Sequence, residues 1–311
     1  HALIATIPDF TEITDETSRA VQAMYAQRPY PRWKSTNMEP IRGEVADLSR
    51  GLAILIAGCG TGQEPSIYAN STPHARITAI DLSLPSIAYG KRMAEEIGYA
   101  NKIDFMHGDL MEVGKIGRTF DLVVSSGVLH HMKEPEKGFA AILNTLKPGG
   151  RMNISLYSQI ARDLNLGPAS EYIKKKGYTS SDADIRQFRH EVMQMPVDDP
   201  IRRCVRASDF FMMAECNDLL FHVQEHRFTC LTLKALTEKL GLELFHVYMQ
   251  PKYAKAWKEK HPDNPKFDFD RLHVFEQENP DLFLEMYKMY FHRKGEGATH
   301  ILDPMIKAGL A

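Results

Sequence analysis

Residues 51–157 alternate short apolar runs with stretches of helical spacing, and this alternation restricts the chain to few folds. Apolar runs rich in β-forming residues occupy 52–57, 76–80, 103–106, 120–124 and 152–156. Helical spacing lies between them, for example at 85–97 and 135–146. Strands that are apolar throughout and separated by helices predict a parallel sheet covered on both faces. Right-handed crossovers then give a doubly wound α/β fold.

The alternation breaks after Tyr157 and resumes near residue 231. Residues 158–230 are polar and helical in pattern, and a helix at 231–240 and strands at 242–249 and 286–292 follow. We therefore predict a mostly parallel, seven-stranded sheet in a main domain over 51–311. Residues 1–50 are predicted to form an N-terminal cap or lid, and 158–230 a helical insertion that covers the substrate after the fifth strand. Residues 147–150 are predicted to be a turn and 251–266 a solvated loop.

Charge and cysteine usage exclude several classes of partner. The chain has 311 residues, with 38 basic and 40 acidic ones. This balance predicts no nucleic-acid partner and no membrane partner. No apolar run reaches the roughly 18 residues that span a bilayer. The four cysteines form no C-x-x-C pair, which favours a reducing cytoplasm over a disulfide framework or zinc knuckle.

The segment ILIAGCGTGQ at 54–63 carries the strongest functional signal. It ends a predicted strand and begins a helix, with glycines at 58, 60 and 62. Glycines permit a tight turn and a close approach of ligand to backbone, and the helix N-terminus offers free N–H groups. Asp81 ends the next strand, where a carboxylate can accept hydrogen bonds from both ribose hydroxyls. Together these features predict a nucleoside site.

Two further strands extend this pattern. The third ends in His107-Gly108-Asp109-Leu110, and the fourth reads Phe120-Asp-Leu-Val-Val-Ser-Ser-Gly-Val-Leu-His-His131. The glycine spacing G-x-G-x-G differs from the G-x-G-x-x-G of dinucleotide binders. Over about residues 50–157, the chain resembles the class I S-adenosylmethionine-dependent methyltransferases. This resemblance implies a Rossmann-like methyltransferase sheet, S-adenosyl-L-methionine as cofactor and methyl transfer as the reaction.

The resemblance also implies cofactor-binding residues. The loop after the first strand would contact the methionine moiety, and Asp81 would bind the ribose. Asp109 would bind the adenine amino group, and Ser125 and Ser126 would lie near the sulfonium end. Ile56 stands where many family members carry an acidic residue, so the methionine amino group needs another partner, a backbone carbonyl or a residue of the cap. The predicted set is Ala57, Gly58, Cys59, Gly60, Gly62, Gln63, Asp81, Leu82, Gly108, Asp109, Leu110, Ser125 and Ser126.

The segment YAQRPYPRW at 25–33 precedes the sheet. It can be a surface connector, or a lid in which Tyr30, Arg32 and Trp33 close over cofactor or substrate. We name these three residues and Tyr157 as candidate substrate contacts. Together with DLLFHVQEHRFT at 218–229, the segment is similar to a bacterial subgroup whose methyltransferase domain often accompanies tetratricopeptide repeats; this chain shows no such repeat.

His130 and His131 follow the fourth strand, in the crevice where α/β sheets bind ligands. A hydroxyl or amine acceptor must lose a proton during methyl transfer, and a histidine with a pKa of about 6.5 suits that task. General-base assistance contributes roughly 10²–10⁴-fold. Either histidine is therefore a candidate base, unless it caps the next helix or packs beside the cofactor.

The string His222-Val-Gln-Glu225-His226 has the H-x-x-E-H spacing of an inverted zinc peptidase. On a helix the three polar side chains would share one face. The string can therefore bind a metal, line the substrate cavity, or anchor the insertion by structural bonds. We name His222, Glu225 and His226 as candidates for acceptor recognition or proton removal, and predict no metal.

These observations predict a transferase that methylates a small polar acceptor, with a histidine as the base. Three alternatives remain open: a methyltransferase of the same fold acting on a protein or peptide, a catalytically silent nucleoside-binding scaffold, and a zinc hydrolase. An enclosed pocket would favour the small molecule, and an open groove the peptide.

Overall fold

Seven strands form one sheet in the computed structural model, which describes residues 3–33, 49–296, 303 and 306. The strands are β1 (Ala53–Ala57), β2 (Arg76–Asp81), β3 (Ile103–His107), β4 (Phe120–Ser126), β5 (Leu146–Leu156), β6 (Leu242–Val247) and β7 (Tyr287–Arg293). They lie in the order β3-β2-β1-β4-β5-β7-β6. The first five pair in parallel, whereas β7 runs antiparallel between β5 and β6. The predicted fold class is confirmed.

The central strands are apolar on both faces because both faces are covered. Ile54 and Ile56 of β1 belong to one buried apolar cluster, and Leu55 and Ala57 belong to another. Successive strand side chains point to opposite faces, so the two clusters are the two sides of the sheet. A continuous apolar run is therefore the pattern that this position requires.

Helices cover the sheet and extend beyond it. They are α1 (Glu16–Gln27), α2 (Gln63–Ser71), α3 (Leu84–Glu96), α4 (Pro135–Leu143), α5 (Gln159–Asn165), α6 (Gly167–Lys176), α7 (Asp182–Gln194), α8 (Met213–Phe221), α9 (Cys230–Lys239), α10 (Pro251–Lys260) and α11 (Phe269–Glu278). Short 3₁₀ helices include Leu110–Ile116 and Leu129–His131. No described helix is both long and apolar enough to cross a membrane.

Two local predictions were wrong. Residues 147–150 lie inside β5, where the register of β4 and β5 shifts between Phe120 and Leu122. A strand irregularity, rather than a separate turn, absorbs the two glycines. Residues 251–260 form α10 rather than a loop, because Trp257 is fully buried and donates from Nε1 to the Pro265 carbonyl oxygen at 2.8 Å. One buried indole docks an otherwise lysine-rich helix.

Residues 158–230 form helices α5–α8, two 3₁₀ helices and irregular segments, with one isolated bridge between Ser158 and Phe228. Their apolar side chains make a third buried cluster that includes Phe188, Phe210 and Phe221. This cluster is separate from the two that flank the sheet. The exact division of the chain into cap, main domain and insertion stays a prediction.

Residues 3–33 lie against the same edge of the sheet as the glycine loop. Pro8 and Phe10 exchange backbone hydrogen bonds with His107 at the end of β3, and Gln22 of α1 donates to the Leu82 carbonyl oxygen. Arg28 joins α1 to the insertion through Asn217 and Asp182. The N-terminal segment therefore bridges the sheet edge and the helical insertion. The predicted cap over residues 34–48 lies outside the described residues.

Candidate functional site

A cavity of about 490 Å³ lies at the carboxyl ends of β1 to β4. The predicted residues that line it are Gly58, Cys59, Gly60, Gln63, Asp81, Leu82, Gly108, Asp109, Leu110, Ser126, His131, Tyr30 and Tyr157. Parallel strands bring the residues that follow them to one edge of the sheet, and the four predicted strand ends meet there.

The glycine loop is shaped by close contacts with its neighbours. Gly60 has φ +50°, and a Cβ there would lie 2.4 Å from the Tyr30 carbonyl oxygen. A Cβ on Gly62 would lie 2.7 Å from the Gly90 Cα of α3. Gly58 and Gly60 line the cavity, whereas Gly62 serves helix packing and does not. Ala57 is fully buried in β1 and also lies outside the cavity lining.

Asp81 is held in place by backbone donors on both sides. Its Oδ2 accepts from the Gly60 N–H and its Oδ1 from the Ser83 N–H, both at 2.8 Å. Burial raises the pKa of this carboxyl, and these N–H groups act in the opposite direction. Each carboxylate oxygen has capacity for a second donor. Asp81 is therefore oriented by the glycine loop and can still accept hydrogen bonds from the hydroxyl groups of a ligand.

The end of β3 contributes a second carboxylate. Asp109 is buried, caps the 3₁₀ helix Leu110–Ile116, and accepts from the Met111 N–H at 2.9 Å. Gly108 lies against the ring of Phe10, so the N-terminal segment closes this side of the cavity. Leu110 is an apolar neighbour on the cavity wall.

The two serines at the end of β4, Ser125 and Ser126, have different roles. Ser125 is fully buried and donates to the Ala57 carbonyl oxygen, so it joins β4 to β1 and does not line the cavity. Ser126 lines the cavity and donates to Glu64 Oε1 at 2.7 Å. Glu64 lies in the first turn of α2 and also lines the cavity. Burial raises its pKa, whereas Ser126 and the nearby Lys288 act in the opposite direction.

The segment at 25–33 contacts the glycine loop directly. Thr61 donates from its backbone N–H to Tyr30 and from its hydroxyl to Pro31, and Trp33 Nε1 donates back to the Thr61 carbonyl oxygen at 2.9 Å. Of the three predicted lid residues, only Tyr30 lines the cavity. Arg32 is exposed, and Trp33 holds the loop rather than reaching a ligand.

The two histidines after β4 have different surroundings. His131 Nδ1 lies 2.7 Å from the Gln224 carbonyl oxygen, which can only accept, so Nδ1 carries the hydrogen. The lone pair is therefore on Nε2, which is buried and has no hydrogen-bond partner among the described residues. Burial lowers the pKa of His131, with repulsion from His130 and His222 acting in the same direction. A neutral imidazole with a free lone pair thus borders the cavity.

His130 does not line the cavity. It is fully buried, its ring stacks on that of Tyr157 at 3.9 Å, and neither of its nitrogens has a partner in the described part of the chain. Because His131 lines the cavity and His130 does not, the geometry favours His131 as the candidate base, and the role of His130 stays a prediction.

The H-x-x-E-H string is not helical, and this overturns its zinc-peptidase interpretation. Helix α8 ends at Phe221, and His222 follows in an extended conformation. Glu225 is bound by Arg162 and Arg227, and His226 contacts the Gln224 side chain at 3.0 Å. None of the three lines the cavity. Glu225 and His226 therefore serve the insertion, and only His222 approaches the cavity wall, by stacking on His131 with ring centroids 3.5 Å apart.

Two residues that the sequence did not indicate complete the site. Asp218 of α8 and Tyr25 of α1 both line the cavity, and the Tyr25 hydroxyl donates to Asp218 Oδ1 at 2.6 Å. Asp218 is almost fully buried. Tyr25 is the first residue of the segment YAQRPYPRW, and Asp218 is the first residue of DLLFHVQEHRFT. Glu64, which also lines the cavity, directly follows ILIAGCGTGQ. Their positions at the ends of these segments were the signal in the sequence that could have identified them as site residues.

His131, Asp218 and His222 have the residue types of a metal site, with one ligand atom of each within 4.8 Å of the others. Their hydrogen bonds favour another arrangement. The Gln224 N–H donates to His222 Nδ1 at 3.1 Å, so the hydrogen of neutral His222 is on Nε2, which faces the Tyr25 hydroxyl at 3.3 Å. A metal would need that nitrogen deprotonated. We interpret Asp218, Tyr25 and His222 as a hydrogen-bonded network beside the His131 ring, and the absence of a metal stays a prediction.

Comparison with known proteins agrees with this geometry. Residues 54–150 match the family described as "Methyltransferase domain". A solved structure titled as PKMT2 from Rickettsia typhi in complex with AdoHcy superposes with a TM-score of 0.59 over 91% of this chain and 53% of that one, at 13% identity. At that identity the likeness concerns the fold alone. The fold is that of the Rossmann-like methyltransferases.

Curated relatives match part of the chain. An uncharacterized protein of Synechococcus sp. is 33% identical over 168 residues, 49% of this chain and 40% of the relative. The ubiquinone/menaquinone biosynthesis C-methyltransferase UbiE of Ruegeria sp. is 28% identical over 113 residues, 36% of this chain and 45% of the relative. The matched part covers less than half the length of these relatives. Over residues 54–150 the chain matches a methyltransferase domain, and its association with tetratricopeptide repeats stays a prediction.

Proposed function

We propose that this chain transfers the methyl group of S-adenosylmethionine to a small polar acceptor, with His131 as the base that removes the acceptor's proton. The observation that carries the proposal is the tautomer of His131: the Gln224 carbonyl fixes the hydrogen on Nδ1, which leaves a buried Nε2 lone pair beside the cavity. A neutral base needs both features, namely a lone pair and access to the acceptor.

The donor and acceptor set of the cavity fits this cofactor. Asp81 would accept from the ribose hydroxyls and Asp109 from the adenine amino group, with Leu110 against the ring. Glu64 would hold the methionine ammonium, since Ile56 is apolar and fully buried in β1. The free N–H groups at the start of α2 suit the methionine carboxylate. Gly58, Cys59 and Gln63 complete this side of the cavity.

When bound, the cofactor supplies an electrophilic methyl group on a cationic sulfur. The chain's own task is to align the acceptor with that methyl and to remove its proton. His131 Nε2 takes the proton, and the Gln224 carbonyl stabilises the resulting imidazolium at Nδ1. Tyr30 of the N-terminal segment and Tyr157 at the end of the sheet border the acceptor side.

The contacts between α1 and the insertion support a small acceptor over a protein or peptide. Tyr25 and Asp218 bond across the cavity wall, and Arg28 ties α1 to Asn217 and Asp182 of the insertion. A peptide would require this wall to open. A relative named as a C-methyltransferase uses a carbon acceptor, whereas a base beside the cavity suits N–H and O–H acceptors. The cytoplasmic location remains a prediction, based on cysteine usage and supported by four free, buried thiols.

The experiment combines binding with turnover. Calorimetry should detect saturable binding of S-adenosylmethionine, and a metabolite-extract screen with a labelled methyl group should yield a labelled product. His131→Gln should lower turnover by roughly 10²–10⁴-fold while cofactor affinity stays unchanged. His190→Gln, an exposed histidine of α7, is the matched control. Binding without transfer to any acceptor would indicate a silent scaffold, and equal turnover in His131→Gln would exclude this base.

A further inference from the structure

Among the described residues, six carboxylates border the cavity: Asp15, Glu64, Asp81, Asp109, Glu134 and Asp218. One lysine of the same described ranges borders it, Lys133, and it is exposed beside Glu134. Glu64, Asp81 and Asp109 have roles toward the cofactor under the proposed function. Asp218 has none there, and it is the carboxylate that shares the acceptor side with His131 and Tyr157.

Asp218 has hydrogen-bond donors but no ion-pair partner among the described residues. Tyr25 donates to Oδ1 at 2.6 Å, and Tyr157 reaches Oδ2 only at 3.5 Å. The nearest cation, Arg162, is engaged by the Glu225 carboxylate and the Leu219 carbonyl oxygen. A buried carboxylate is costly unless a proton or a cation neutralises it, so a positively charged ligand would stabilise the ionised form of Asp218.

The surrounding side chains direct that charge to one place. Both faces of the Tyr157 ring are covered, by His130 at 3.9 Å and by the Arg162 guanidinium at 3.7 Å. Tyr157 therefore presents its edge and hydroxyl to the cavity rather than its face. Its weak bond to Oδ2 leaves that oxygen able to accept a stronger, charge-assisted donor.

We propose that the methyl acceptor is a primary or secondary amine, whose ammonium form is held by Asp218 and whose proton passes to His131 Nε2. This inference rests on the proposed function and names its substrate class. An alcohol or thiol would bring no positive charge to the carboxylate, whereas an ammonium pairs with it and brings an N–H toward the free histidine nitrogen. Burial raises the pKa of Asp218 to about 7, and an ammonium partner would lower it again.

The reaction balances without a further reagent. The ammonium loses one proton to His131 Nε2, and the nitrogen lone pair then forms the bond to the methyl carbon. The carbon–sulfur bond breaks with its electron pair remaining on sulfur, which becomes neutral. The product leaves as a methylated ammonium, and the His131 proton returns to solvent.

The test compares amines with alcohols and thiols of the same carbon skeletons in the labelled-methyl assay. We expect transfer to amines, and Asp218→Asn should lower kcat/KM for them by roughly ten- to hundredfold. Asp198→Asn, an exposed aspartate of the same insertion, is the control. Affinities for S-adenosylmethionine and S-adenosylhomocysteine should stay equal to wild type, which also verifies that the variant is folded.

Three results would overturn the inference. Transfer to alcohols, thiols or carbon acids but not to the matched amines would refute the substrate class while leaving the proposed function intact. Unchanged amine turnover in Asp218→Asn would refute the role of this carboxylate. A loss of affinity for S-adenosylmethionine but not for S-adenosylhomocysteine would assign Asp218 to the sulfonium charge instead. Failure of transfer to every acceptor would remove the proposed function itself.

Discussion

Glu64 offers the sharpest test of how this cavity holds its cofactor. The position that is acidic in many methyltransferases is Ile56, buried in β1, and the carboxylate that lines the cavity nearby is Glu64 of α2. Glu64→Gln keeps the size of the side chain and an oxygen that can accept from Ser126. The substitution removes the negative charge and leaves the local packing in place.

The expected loss follows from one charge-assisted hydrogen bond. Such bonds contribute about 1.5–3 kcal/mol, which corresponds to roughly 10–150-fold in affinity. S-adenosylhomocysteine carries the methionine-type ammonium, whereas 5′-methylthioadenosine lacks the amino-acid part. Glu64→Gln should therefore lower the affinity for S-adenosylhomocysteine by that factor and leave the affinity for 5′-methylthioadenosine within about twofold of wild type.

Calorimetry with both ligands measures this difference, and Glu95→Gln, exposed on α3, is the matched control. An equal loss for both ligands would mean that the substitution disturbs the glycine loop. No loss for either would show that Glu64 does not meet the ammonium. Either result would refute the reasoning.

Three other predictions concern Asp81, His131 and His130. Asp81→Asn should weaken the binding of both S-adenosylhomocysteine and 5′-methylthioadenosine by roughly tenfold or more, because both ligands contain the ribose. Calorimetry measures this loss of affinity. Burial lowers the pKa of His131, so kcat should be constant above about pH 6.5, fall only in more acidic solution, and lose this dependence in His131→Gln. Burial likewise lowers the pKa of His130 well below its unfolded value, so its contribution to stability is present above about pH 6.5 and lost as pH falls. His130→Phe should retain turnover and, in urea titrations, lose less unfolding free energy than wild type as the pH falls from 7.5 to 5.5.

Much of the fold was predictable because the sheet is covered on both faces. Continuous apolar runs are a direct consequence of that architecture, and the glycines after β1 and the carboxylates at the ends of β2 and β3 indicate the ligand-binding edge. Trp257 shows the limit: a lysine-rich segment reads as a solvated loop, and only tertiary packing reveals that one buried indole docks it as a helix. The spacing of a motif cannot report such a contact.

The acceptor side was less predictable for the same reason. The H-x-x-E-H string has a helical period, but α8 ends before it, and Glu225 is taken by two arginines. Asp218 and Tyr25 are 193 positions apart and meet only when the insertion closes on α1. Contacts at that separation leave no local pattern, so the sequence indicated the segments and not the residues.

Methyl transfer in this cavity with His131 as the base can be tested in a single experiment. The direct measurement is labelled-methyl transfer to extract acceptors by wild type and His131→Gln, with S-adenosylhomocysteine affinity recorded for both proteins. We expect a labelled product with wild type, a loss of roughly 10²–10⁴-fold in turnover with His131→Gln, and equal S-adenosylhomocysteine affinities for the two proteins. Transfer by His131→Gln at the wild-type rate, or binding without any transfer by wild type, would contradict it.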